Sequence, residues 1–145
     1  MTSLLIMLSR LWYRLFGSRT LRAYEQSCID IWRQSLSEEG RNVLDAQLKQ
    51  PHFVQRQAAD AKVCFFWFNK PSAPVFKNAS PDLHAATILL KSKDTDAEAL
   101  RAKIFVHRGR FFSLEFPKRP RRYAELHQMN PTTLRAISIE THIQL

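Results

Sequence analysis

The residues best equipped for chemistry are five histidines, two cysteines and a scatter of carboxylates, and their spacing brings few of them together. A helical metal site needs two ligands one turn apart, at i and i+4 or as H-E-x-x-H, so that both face the ion. His52, His84, His107, His127 and His142 never fall at that spacing, and Cys28 and Cys64 have no neighbouring cysteine. No metal and no cofactor is expected. Ser80, Asp82 and His84 lie close in sequence but around Pro81, with no strand-to-helix elbow to present the serine as a nucleophile, so they read as turn or capping groups. Cys64 is flanked by Val63 and Phe65, whereas reactive thiols occupy electropositive, partly exposed settings. It reads as a core thiol. Glu115 stands alone among cations and is expected to pair with Lys103, Arg110 or Lys118, a surface ion pair worth under ~1 kcal/mol. With three glycines in 145 residues there is no phosphate-cradling loop. The chain is therefore read as non-catalytic, and its chemistry as that of a binding surface.

The net charge of +9 is concentrated in two places. Residues 1–22 carry Arg10, Arg14, Arg19 and Arg22 and no acid; residues 101–122 carry eight Lys or Arg against Glu115 alone, a local +7. The remainder is slightly acidic. Arg108 and Arg110, with Lys118, Arg119, Arg121, Arg122 and Tyr123 beyond them, are the candidate anion-binding residues, expected to form one cationic rim. Arginine forks of this kind suit an acidic protein partner; cations interleaved with Phe105, Phe111 and Tyr123 suit RNA or DNA; and an anionic membrane surface is the third anion that fits. A second copy of the chain is a further candidate partner.

Residues 1–18 form a separate amphipathic helix. At 100° per residue, Leu4, Leu5, Leu8, Leu11, Trp12, Leu15 and Phe16 span about 140° of the wheel, with Ser3, Arg10 and Arg14 opposite. The uninterrupted apolar run, Leu4–Leu8, is far short of the ~20 residues of a membrane span, and the arginines follow the apolar core instead of preceding it as in a secretory signal. Two readings fit: a helix lying in a membrane surface, with Leu4, Leu8, Leu11, Trp12, Leu15 and Phe16 as contacts, or a helix docked on the chain's own core or on a partner.

Residues 19–145 have the size and apolar content of one domain. Leu21, Tyr24, Cys28, Ile31, Trp32 and Ser35 recur at helical spacing and predict a helix over about 19–35; Ser37, followed by Glu38 and Glu39, caps a second that stops by Pro51. Phe53–Gln57 and Lys62–Phe68 predict a hairpin around Ala58–Ala61, the second strand apolar on both faces and so interior to the sheet. Residues 69–82, with three prolines, read as a loop, Ala85–Lys91 as a strand, Asp94–Leu100 as a short helical or turn connection, and the alternating Arg135–Leu145 as a final half-buried strand.

The segment Ala102–Phe116 predicts a hairpin closed at Gly109. Merging Ile104 and Val106 with Phe112, Leu114 and Phe116 on one face asks for a three-residue loop, His107-Arg108-Gly109, pairing Ile104 with Phe112 and leaving Lys103, Phe105, Phe111, Ser113 and Glu115 on the other face. The fold expected is α+β, with two or three helices on one face of a mostly antiparallel sheet of five or six strands. The function expected is a non-catalytic protein-interaction module, cytoplasmic and peripherally tethered to a membrane by its first helix; a nucleic-acid-binding protein is the alternative.

Overall fold

The computed structural model describes residues 2–68, 72–77, 81–92, 100–117 and 134–141. Among them, helices α1 (Thr2–Phe16), α2 (Ala23–Ser35) and α3 (Glu38–Lys49) precede strands β1 (His52–Gln57), β2 (Lys62–Trp67), β3 (Asp82–Ser92), β4 (Leu100–His107), β5 (Arg110–Glu115) and β6 (Leu134–Thr141). The strands make one sheet in the order β1-β2-β5-β4-β3-β6, antiparallel at every step. α2 and α3 cover one face of it, which is the α+β architecture the sequence pattern predicts.

The core lies between that helical layer and the inner face. Tyr24, Cys28, Ile29 and Trp32 of α2 and Leu44 of α3 meet Val54, Val63, Phe65, Ile88, Ile104, Phe111, Leu114 and Phe116. α2 begins at Ala23, four residues later than the periodicity suggests. Its first turn is closed by Glu25, whose carboxylate accepts from the Arg22 backbone N–H at 2.8 Å and from Arg56 at 2.6 and 2.8 Å. Glu25 is fully buried, so this pair from a strand to a helix start satisfies a charge that burial would otherwise penalise. Ser37 caps α3 as expected, accepting from Gly40 N–H at 3.1 Å.

The central hairpin differs from expectation in one instructive way. Its loop has two residues, Arg108 (φ 48°) and Gly109 (φ 77°), both left-handed as the common tight hairpin turn requires. His107 pairs with Arg110 and Val106 with Phe111, then the register shifts so that Phe105 faces Ser113 and Ile104 faces Leu114. Phe112 is the extra residue of a β-bulge. The parity conflict between the two apolar sets is thus resolved inside the strand, not in the loop. Phe111 enters the core, against the expectation that placed it on the second face, and Phe112 goes to the second face in its stead. The tip is also enclosed: Gly109 is buried, its carbonyl accepts from Phe76 N–H and from Gln47 Nε2, both at 2.9 Å, and a Cβ there would lie 2.7 Å from Val75 Cβ.

Candidate interaction surface

Two surfaces outside the core are the candidates for binding. The first is α1. Its described apolar side chains are exposed: Leu4, Leu5, Leu8, Leu11, Trp12 and Leu15 of the apolar arc are between 53% (Leu8) and 68% (Leu15) exposed, and Ile6 and Met7 are exposed beside them. The reading in which this helix docks on the chain's own core is therefore not the arrangement found. α2 and α3 already occupy the sheet's inner face, and the end of α1 meets β1. No helix among the described residues is long and apolar enough to cross a membrane; α1, at 15 residues, is about 22 Å long.

The junction is tight. Ser18 exchanges backbone hydrogen bonds with Val54 at 2.7 and 2.8 Å, so the segment after α1 extends the sheet beyond β1. Gly17 between them is pressed on the outer side of β1: a Cβ would come within 2.9 Å of both Phe53 Cδ2 and Val54 O. Only a glycine lets the chain turn there from helix to strand pairing. Arg19, exposed, places its guanidinium over the Phe68 ring at 5.4 Å.

The second surface is the sheet's outer face. The register places Phe53, Gln55 and Gln57 of β1, Lys62, Cys64 and Phe66 of β2, Ser113 and Glu115 of β5, and Lys103 and Phe105 of β4 there. An aromatic band crosses it. Phe53 lies 5.1 Å from Phe68 and stacks on Phe66 at 5.5 Å; Phe66 meets Phe112 at 6.5 Å, and Phe112 meets His107 at 5.7 Å. Farther along, His84 stacks on Phe105 at 5.0 Å. Glu115 pairs across strands with Lys62 at 3.0 Å, a partner the sequence did not suggest; of those expected, Lys103 stands opposite it on β4 and Lys118 lies outside the described residues. That hydrogen bond holds the Lys62 ammonium above its usual range, and Lys62 also sits over Phe112 at 5.7 Å. Asp82 pairs with His107 Nδ1 at 2.6 Å.

Between these pairs a depression of about 200 Å³ is lined by Lys62, Asp82, Phe105, Phe112, Ser113 and Glu115 among others. It is smaller than the roughly 300–1,000 Å³ of small-molecule clefts. Cys64, paired with Ser113, is buried, and burial pushes its thiol up, away from the nucleophilic thiolate. Among the described residues no group of three His, Cys, Asp or Glu is arranged to hold a metal ion.

Of the expected rim, Arg108 is exposed at the hairpin tip, and Arg110 is half-buried on the outer face opposite His107. Lys118, Arg119, Arg121, Arg122 and Tyr123 lie outside the described residues, as do the Asp94–Ala99 connection and His142–Leu145; so does the side chain of Phe16. The clustering of those five with Arg108 and Arg110 stays an expectation. The Arg19–Phe68 contact and the band from Phe68 to Phe112 were not legible in sequence, because both depend on which strands become neighbours. Comparison with protein-family models, with curated proteins and with solved structures finds no match.

Proposed function

We propose that the chain is a non-catalytic, membrane-surface-associated interaction module in which α1 is an in-plane anchor and the α+β domain is the cargo it holds at the bilayer. The observation that carries this reading is the outward-facing arc of α1. Six large apolar side chains at helical spacing are exposed, and none of them belongs to the described core. Burying a leucine is worth about 1.5–3 kcal/mol, whereas a basic residue near an anionic surface contributes about 1 kcal/mol. The apolar arc thus outweighs Arg10, Arg14 and Arg19, and binding should weaken only moderately with salt.

Flotation of the full chain on vesicles of phosphatidylcholine and phosphatidylglycerol (7:3) tests this. The intact chain floats, and the double variant Leu8→Glu/Leu11→Glu stays at the bottom of the gradient. Equal flotation of both would remove α1 as the anchor.

A second reading rests on the outer face, where Lys62 over Phe112 and the neighbouring Lys103 and Phe105 combine cations with stacking surfaces suited to single-stranded nucleic acid. Binding of an oligonucleotide that weakens steeply with salt, and less steeply in Lys62→Gln/Lys103→Gln, supports it; no retention on polyanions at low salt ends it.

A further inference from the structure

We propose that the β1–β2 corner of the outer sheet face, formed by Phe53, Phe66, Phe68 and Arg19, is a second contact with the anionic membrane surface, so that the domain docks in one orientation with its helical layer turned to solvent. This rests on the reading of α1 as the anchor and adds what that reading leaves open: which way the domain faces.

Three observations fix the direction. Leu15, the last described apolar contact of α1, is three residues from Ser18, which is already hydrogen-bonded into the sheet. Three residues reach at most about 10 Å. An α1 lying in the headgroup region therefore holds the β1 edge within roughly that distance of the bilayer. Next, Gly17 enters from the outer-face side, against Phe53 and Gln55, and Arg19 lies over Phe68, so the junction belongs to the outer face.

Charge distribution points the same way. On the outer side Arg19, Lys62, Arg101, Lys103 and Arg110 stand against Asp82 and Glu115. In residues 23–50, the segment of α2 and α3, the balance reverses slightly: Asp30, Glu38, Glu39 and Asp45 against Arg33, Arg41 and Lys49, a net −1, Glu25 being buried and paired with Arg56. An anionic surface attracts the first side and repels the second, and within a Debye length of about 8 Å this difference orients the domain. The rings of Phe53, Phe66 and Phe68 then sit at headgroup depth beside Trp12, and Arg19 meets lipid phosphate.

The test uses the full chain carrying one nitroxide, at Gln55→Cys on the corner or at Asp30→Cys on the exposed side of α2; Cys28 and Cys64 are buried and stay unlabelled in the folded protein. On vesicles of phosphatidylcholine and phosphatidylglycerol (7:3), the Gln55 label should lose collisions with a water-soluble nickel chelate at least twofold and gain them with oxygen, while the Asp30 label is unchanged. Arg19→Gln should weaken partition about fivefold on those vesicles and leave it unchanged on pure phosphatidylcholine. Vesicle-bound protein in which both labels remain equally water-accessible, or an Arg19→Gln variant that binds anionic vesicles as the intact chain does, overturns the orientation while leaving the anchor standing. Failure of the intact chain to bind either vesicle overturns both.

Discussion

Gln47 joins three parts of the chain that sequence reasoning treats as unrelated. From α3 its side-chain amide donates to Pro74 O and Gly109 O and accepts from Phe111 N–H, all at 2.9 Å, while its own backbone carbonyl accepts from Trp67 Nε1 at 3.1 Å. It is 1% exposed, and its bonds to Gly109 O and Phe111 N–H are buried. Gln47→Leu preserves volume but strands the buried Phe111 N–H, costing about 1–3 kcal/mol, while Gly109 O keeps the Phe76 N–H; urea unfolding should show a loss of at least about 1 kcal/mol, and a loss under about 0.5 kcal/mol would contradict the role. The two turn residues next to it behave oppositely. Gly109→Ala meets both a left-handed backbone, which costs an L-residue about 1–2 kcal/mol, and Val75 and Phe76 at 2.7 and 3.0 Å. Arg108 is a non-glycine already at φ 48° and exposed. Arg108→Asn, better suited to that conformation, should raise the urea midpoint where Gly109→Ala lowers it. The sequence pointed to Gly109 through its isolation between apolar strands. It carried no sign of Gln47, because a glutamine on a helix is ordinarily a solvated residue and only the approach of the β4–β5 turn makes it a clamp.

Helices and strands were legible where a periodic pattern met a clear boundary signal. Ser37 and Pro51 bracket α3, and the alternation through β4, Ile104 and Val106 against Lys103 and Phe105, matches the faces found. What failed is the part of the pattern that depends on a bulge. At Phe112 the strand's period of two slips by one, and a single sequence shows only that two apolar sets must merge, not whether loop or strand absorbs the slip. The start of α2 was similarly hidden, since Arg22 is not a capping residue and Glu25 closes the turn through Arg56, a partner supplied by another element. Between α2 and α3, Arg33 donates to both oxygens of Asp45 at 2.7 Å. That hydrogen-bonded fork holds the Asp45 carboxyl below the usual carboxylate range. A carboxyl depressed by folding adds stability that is present above its unfolded pKa and is lost as pH falls through the folded one. The difference in stability between the intact chain and Asp45→Asn should accordingly be present at pH 7 and shrink progressively below about pH 4. A difference independent of pH would mean the fork contributes through shape alone. α1 makes the contrasting case: its described apolar residues add nothing to the core, so a chain beginning at Gly17 should unfold at a urea midpoint equivalent to within about 0.5 kcal/mol of the intact protein. A larger loss would show that α1 supports the fold.

At the scale of the whole molecule the basic character of the sequence becomes an asymmetry. The helical layer is slightly acidic, the outer sheet face is cationic and crossed by phenylalanines, and α1 leaves from that same side. Composition alone located the charge along the chain but not on a face, since faces are set by strand order. The membrane account stands on whether the exposed arc of α1 inserts, and Trp12 reports this directly because it lies in that arc at 59% exposure while Trp32 is fully buried. The measurement is the tryptophan emission of the full chain minus that of Trp12→Phe, with and without vesicles of phosphatidylcholine and phosphatidylglycerol. A blue shift of the Trp12 component with added vesicles, retained at high salt, is the predicted result; a Trp12 component that keeps its water-exposed emission in the presence of excess vesicles would contradict it.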